Sequence, residues 1–179
     1  MYHTLHPYGS IPFRIIQMNK SYFTDTKNRD CLYDLITSWK GTRFRHGAMV
    51  KGRAVDCALY VASLLRELGV FTSIVHERVL QTWCLHTKRE VMLDGYRAQF
   101  QKRMSHRLIA VEIGLDEETQ FGDILFFATT KMGVSNHCAI MLDSPNMACA
   151  LEHRGTCIVI LSDVWRNRLQ HKYRIMHYG

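Results

Sequence analysis

The sequence predicts an α+β domain in which helices come first and a mainly antiparallel sheet follows. Three observations predict it. Apolar residues recur at helical spacing between residues 28 and 102. Beyond Arg103 the pattern changes to short apolar segments, at 107–113, 123–128, 136–142, 147–153 and 157–161, separated by turns. The connections between the later segments are only a few residues long, which suits hairpins and is too short for parallel crossovers. With 179 residues, 47% hydrophobic and 22% charged, the chain fits one compact domain spanning 1–179 that buries a core without staples.

Taken in order, residues 1–25 mix aromatics with Pro7 and Gly9 and show no clear period, so they read as an irregular arm. From Asn28, the positions of Leu32, Leu35, Ile36 and Trp39 describe an amphipathic helix ending before Gly41. A loop containing Gly41, Gly47 and Gly52 follows. Asp56 then stands as an N-cap before the apolar run 57–68, and Gly69 occupies the C′ position, so this is the central, buried helix. A third helical stretch over 79–102 carries Leu80, Trp83, Met92, Tyr96 and Phe100 among many charges and packs by one face. After the strands, Ser162 caps a short helix holding Val164, Trp165 and Leu169, and 172–176 supplies a last strand.

Lys plus Arg exceed Asp plus Glu by 23 − 16 = 7, a balance that favours an anionic partner. The basic residues are scattered and form no nucleic-acid-binding motif, so nucleic acid ranks last among the partners. No apolar run approaches the about 18 residues of a membrane span, and no secretory signal stands out near Arg14, so synthesis in the cytoplasm is expected. Six cysteines without regular spacing read as free thiols.

Cys57 stands apart because it opens the central helix. Unpaired N–H groups and the helix dipole there favour a thiolate, and the same groups can hold an oxyanion. The ordinary reading of such a residue is a small buried side chain, and only a base within reach overturns it. His137 and His153 fall on neighbouring predicted strands. If the turn is Ser144-Pro145-Asn146, Asp143 faces Met147 and His137 faces His153, so the two imidazoles share one face. Pro145 fits the middle of that turn poorly, which leaves a loop of two or four residues open and would offset the pairing. His46, His76, His86 and His106 show no comparable arrangement. A zinc site is disfavoured: His137 and Cys138 point to opposite faces, and Cys149 and His153 lie about 13 Å apart along a strand rising roughly 3.4 Å per residue. No metal or other cofactor is expected.

Two ordered blocks resemble the NlpC-type cell-wall endopeptidases, especially those of phage tails and prophages. The first is Trp39-Lys40-Gly41-Thr42-Arg43-Phe44-Arg45-His46-Gly47, followed by Gly52 and Asp56-Cys57; the second is Gly122-Asp123-Ile124-Leu125-Phe126-Phe127, followed by Asn136-His137-Cys138-Ala139-Ile140-Met141. Trp83 with His86, and Trp165 to Arg168, are similar to further features of the phage type. The resemblance implies a papain-like fold, Cys57 as nucleophile, His137 as base and His153 as its orienter. It also implies hydrolysis of an amide between D-γ-glutamyl and diamino acid residues in peptidoglycan stem peptides, with phage tail proteins as partners and delivery by a particle or by lysis. Asp56 maps to the residue that recognises the stem's amino end. Ala58-Leu59 stands where the family commonly has Ser-Gly, and Phe44 where many members have Tyr, so substrate-facing hydroxyls are missing at Phe44 and Ala58. Two further readings keep the same residues: an acyl, amide or thioester hydrolase or transferase, and a tail-associated binding module that has lost catalysis.

Overall fold

A computed structural model of the chain describes residues 18–75 and 83–178. It is a mixed α+β fold built on a curled antiparallel sheet. The strands are β1 (Met18–Ser21), β2 (Arg43–Phe44), β3 (Met49–Val50), β4 (Ala54–Val55), β5 (Leu108–Ile113), β6 (Ile124–Phe127), β7 (His137–Met141), β8 (Asn146–Leu151), β9 (Gly155–Ile160) and β10 (Leu169–Tyr178). The helices are α1 (Thr26–Ser38), α2 (Cys57–Glu67), α3 (Trp83–His86), α4 (Val91–Lys102) and α5 (Asp163–Arg166). The large sheet runs β1-β10-β6-β7-β8-β9, with β5 also paired to β10. The glycine-containing loop between α1 and α2 folds into a small sheet of order β2-β4-β3.

The central helix forms where the pattern placed it. Asp56 caps it, Gly69 takes a positive φ of 75° just past its end, and α2 packs against β7 and β8. Leu59, Tyr60, Val61, Leu64 and Leu65 enter one core with Phe126, Cys138, Ile140, Ala148 and Ala150. The opposite face of the same strands is also covered: Leu125, Phe127, Ala139, Met141, Met147 and Cys149 lie beneath Leu161, Trp165 and Leu169. Cover on both faces explains why β6 and β7 read as continuous apolar runs and do not alternate.

Three expectations are corrected. Residues 18–25 are not an arm: β1 pairs with β10, Phe23 is buried in the core, and Asp25 caps α1; residues 1–17 of the expected arm lie outside the described residues. The third helix is not continuous, because Thr87–Glu90 separates α3 from α4 and position 79 lies outside the described residues. The β7–β8 hairpin turns one residue early. Leu142 N–H donates to the Asn146 carbonyl at 2.8 Å and Asn146 N–H to the Asp143 carbonyl at 2.9 Å, so the loop is Asp143-Ser144-Pro145, with a cis Ser144–Pro145 bond. Among the described residues, no helix is long and apolar enough to cross a membrane.

Candidate active site

The site begins at the N-cap of α2. One Asp56 carboxylate oxygen accepts the Leu59 N–H at 2.7 Å, as an N-cap must. The other accepts the Gly47 N–H at 2.9 Å, and Asp56 N–H donates to the Ala48 carbonyl at 3.2 Å, so the same residue ties the glycine loop to the helix start. Gly47 holds φ at 66°, a conformation that costs a side-chain-bearing residue about 1–2 kcal/mol.

Cys57 is the first residue of α2 and is 5% exposed. Backbone N–H groups of Cys138 on β7, of Ala58 and of its own residue lie near its sulfur and favour the anion. The β7–β8 ladder runs only as far as Ala139 opposite Cys149, and the Cys138 N–H, one residue further on, is the strand group that acts on the sulfur. Loss of water, followed by the neighbouring Asp56 charge, pushes the thiol up to about 12, against the lowering by those N–H groups. This corrects the expectation of a resting thiolate: the field of the helix terminus is present, but desolvation outweighs it.

His137 opens β7 and is 7% exposed. Its ring lies over Trp165, with centroids 5.0 Å apart and planes 30° from parallel, and beside Phe127 at 6.0 Å. Burial lowers the imidazole to about 4, so it is neutral at physiological pH, and its Nε2 has no hydrogen-bond partner among the described residues. A buried ring nitrogen left open in this way costs stability in the free protein and offers a proton acceptor to an arriving group.

His153 does not face His137. Ala139 pairs with Cys149 and Met141 with Met147, a register two residues away from the expected one, and His153 falls in the exposed turn between β8 and β9. The physical reason is the position of the hairpin loop, which spends Asp143 and not Asn146. Continued by the same register, His137 lies across from Leu151, and its ring packs instead against Trp165 and Phe127. His153 lines a groove of roughly 360 Å³ with Phe44, Arg43 and Arg154. The groove is fixed in place because Thr156 N–H donates to the Thr42 carbonyl at 2.9 Å, joining the edge of β9 to the strand that carries Phe44. Ala58 is half-buried in the first turn of α2, and its carbonyl accepts the Tyr96 hydroxyl at 2.7 Å.

Sequence reasoning missed what holds these groups: the stacking of Trp165 on His137, the Cys138 N–H on the sulfur, and Tyr96 beneath the helix start. Trp165 was visible as part of a block, but nothing in its spacing said which ring it would cover.

No protein-family model matches the sequence, and no curated protein matches it. Solved structures do. A protein of Staphylococcus aureus described as similar to lipoprotein, of the NLP/P60 family, superposes with a TM-score of 0.58 at 22% identity, over 89% of this chain and 45% of that one. An NlpC/P60 family protein of Bacillus cereus superposes with a TM-score of 0.54 at 17% identity, over 80% of this chain and 39% of that one. This chain thus spans less than half the length of either. At such identities the likeness is one of backbone architecture, and on that ground the chain has the fold of the NlpC/P60 proteins.

Proposed function

We propose that this chain is a cell-wall cysteine hydrolase of the NlpC type, papain-like in its placement of helix and sheet, with Cys57 as nucleophile and His137 as general base. Its substrate is the amide between D-γ-glutamyl and diamino acid residues of peptidoglycan stem peptides. The observation that carries the reading is the neutral, buried His137 imidazole with an open Nε2, one residue from the Cys138 N–H that lies near the Cys57 sulfur. The His137 ring packs with Phe127 and Trp165 while α2 packs over the Cys138 side of β7, so substrate binding has to bring sulfur and ring into hydrogen-bond reach for the proton transfer that attack requires.

In this scheme His137 takes the thiol proton as the sulfur adds to the amide carbonyl. The Cys57 backbone N–H, at the start of α2, holds the oxyanion. Collapse expels the amine, which receives the proton from His137, and a water deprotonated by the same ring then hydrolyses the thioester. Trp165 keeps the ring in place. His153 and Phe44 contact the stem peptide from the groove wall, and Asp56, with both oxygens already accepting backbone N–H groups, offers its remaining lone pairs to the amino end of the stem. Association with phage tail proteins, and delivery to the wall by a particle or by lysis, belong to the same proposal and rest on the sequence blocks.

One observation favours a second reading: the Cys57 thiol, buried and pushed up to about 12, suits a wall-binding module without catalysis. Digestion of purified peptidoglycan by the wild-type and Cys57→Ala proteins, with fragments identified by mass spectrometry, separates the two. New stem-peptide fragments from the wild type alone are expected. Identical profiles, with both proteins sedimenting with the wall, would reject the hydrolase in favour of the binding module.

A further inference from the structure

Outside the site just described, two more sulfurs lie together. Cys149 on β8 and Cys157 on β9 are directly opposed in an antiparallel register, so they share one face of the sheet. Opposed residues in such a pair stand about 4.5–5.5 Å apart at Cα, within the range a disulfide bridges. The neighbouring Cys149 thiol, the Leu151 N–H and the Arg154 guanidinium all act on the Cys157 sulfur in the sense that favours its anion. Cys149 is fully buried, whereas Cys157 is half-exposed at the sheet edge. The pair therefore has an accessible member surrounded by groups that favour its anion, and a sheltered member in contact with it.

We propose that Cys157 is an oxidation-sensitive thiol and that Cys149 resolves it, so that peroxide converts the two into a cross-strand disulfide between β8 and β9. The Cys157 thiolate attacks one peroxide oxygen, breaking the O–O bond to give a sulfenic acid and hydroxide. The Cys149 sulfur then attacks the sulfenic sulfur, the S–O bond breaks, and the Cys149 proton leaves with the oxygen as water. Both thiols are oxidised together by two electrons and the peroxide is reduced. The Cys157 thiol is lowered to about 7, first by the Cys149 S–H and next by Arg154 and Leu151 against the cost of burial, while Cys149 is raised. Cys57 and Cys138 are both raised by burial, so neither competes as the first thiolate. The pair depends on β8 and β9 and stands whether or not the protein cleaves peptidoglycan.

The test treats the full chain with hydrogen peroxide, alkylates the remaining thiols under denaturing conditions and maps proteolytic fragments by mass spectrometry. A Cys149–Cys157 cross-link that a thiol reductant removes is expected. In the Cys149→Ala protein, Cys157 should instead be trapped as a dimedone adduct, and in the Cys157→Ala protein Cys149 should remain reduced. Before oxidation, Cys157 should alkylate at pH 7 at least about ten-fold faster than Cys57, whose thiol burial pushes up to about 12. The proposal is overturned if the wild-type map shows Cys157 still reduced when Cys31 is oxidised, or Cys157 oxidised without linkage to Cys149. The wild-type map decides even where a variant fails to fold.

Discussion

Trp165, on the short helix α5, covers the His137 ring on β7, with centroids 5.0 Å apart and planes tilted by 30°. The indole shields a base that would otherwise meet water, and so it sets both the orientation of the imidazole and its reluctance to accept a proton. Trp165→Ala should raise the His137 titration point from about 4 towards the ordinary 6.5, followed through the ring proton signals by NMR. Because the indole is only half-buried, the stability cost should be about 2 kcal/mol, below the ~3–5 kcal/mol of a fully buried tryptophan. An unchanged titration would mean that β6 and β7 alone keep the ring dry.

Acid should weaken the fold through the same residue. The unfolded chain binds a proton on His137 near 6.5 and the folded chain only near 4, so between these values the unfolded state holds more protons and stability rises with pH. The contribution is fully present above about 6.5 and is lost as pH falls through about 4, at about 3 kcal/mol in all. Urea midpoints of wild type and His137→Asn at pH 7 and pH 4.5 should diverge, with the wild type losing more. Equal losses would contradict the burial of a neutral ring.

Asp56 joins the nucleophile to its loop. Asp56→Ala removes the acceptors of both the Leu59 and Gly47 N–H groups and should cost about 2 kcal/mol in urea unfolding. It also removes a negative charge beside Cys57, so the thiol should titrate below about 12, read by its ultraviolet absorbance or its alkylation rate against pH. A thiol that stays where it is would assign the whole effect to desolvation.

Asp123 is fully buried and receives both arms of Arg174, Nε and Nη2 each at 2.8 Å, together with the Gln120 N–H at 2.7 Å. Asp123→Ala strands the guanidinium and should cost about 3–5 kcal/mol. The double variant Asp123→Ala/Arg174→Met should recover part of that loss, because no unpaired charge remains. A double variant no more stable than Asp123→Ala would show that the pair's value lies in its geometry.

The central helix and the run of strands beyond Arg103 were legible because they rest on local periodicity, and the Asp56 cap because its partner is three residues away, whereas the two-residue strands β2, β3 and β4 are too short to carry a period and the loop between α1 and α2 showed no strand signal. The hairpin register was not, since the choice between Asp143 and Asn146 as loop residues depends on how Pro145 sits, and His153 was misplaced with it. The pairing of β1 had no local signal, its partner being β10 at the far end of the described chain. The thiol of Cys57 was misjudged because a helix terminus is a sequence feature and desolvation is a tertiary one. Gly122 and Asp123 were read as part of a catalytic-family block, yet their work is architectural: a Cβ on Gly122 would fall 1.9 Å from the Phe23 ring, and Asp123 anchors Arg174.

β10 hydrogen-bonds with β1, β5 and β6 and links segments as distant as Met18 and Tyr178. During synthesis, the partners of this strand must wait for it, and β1 stays without its place in the sheet until Leu169–Tyr178 has emerged. Assembly is thus weighted towards late, long-range closure, a topology associated with slow folding and with exposure of unpaired strand edges to neighbouring chains along the way.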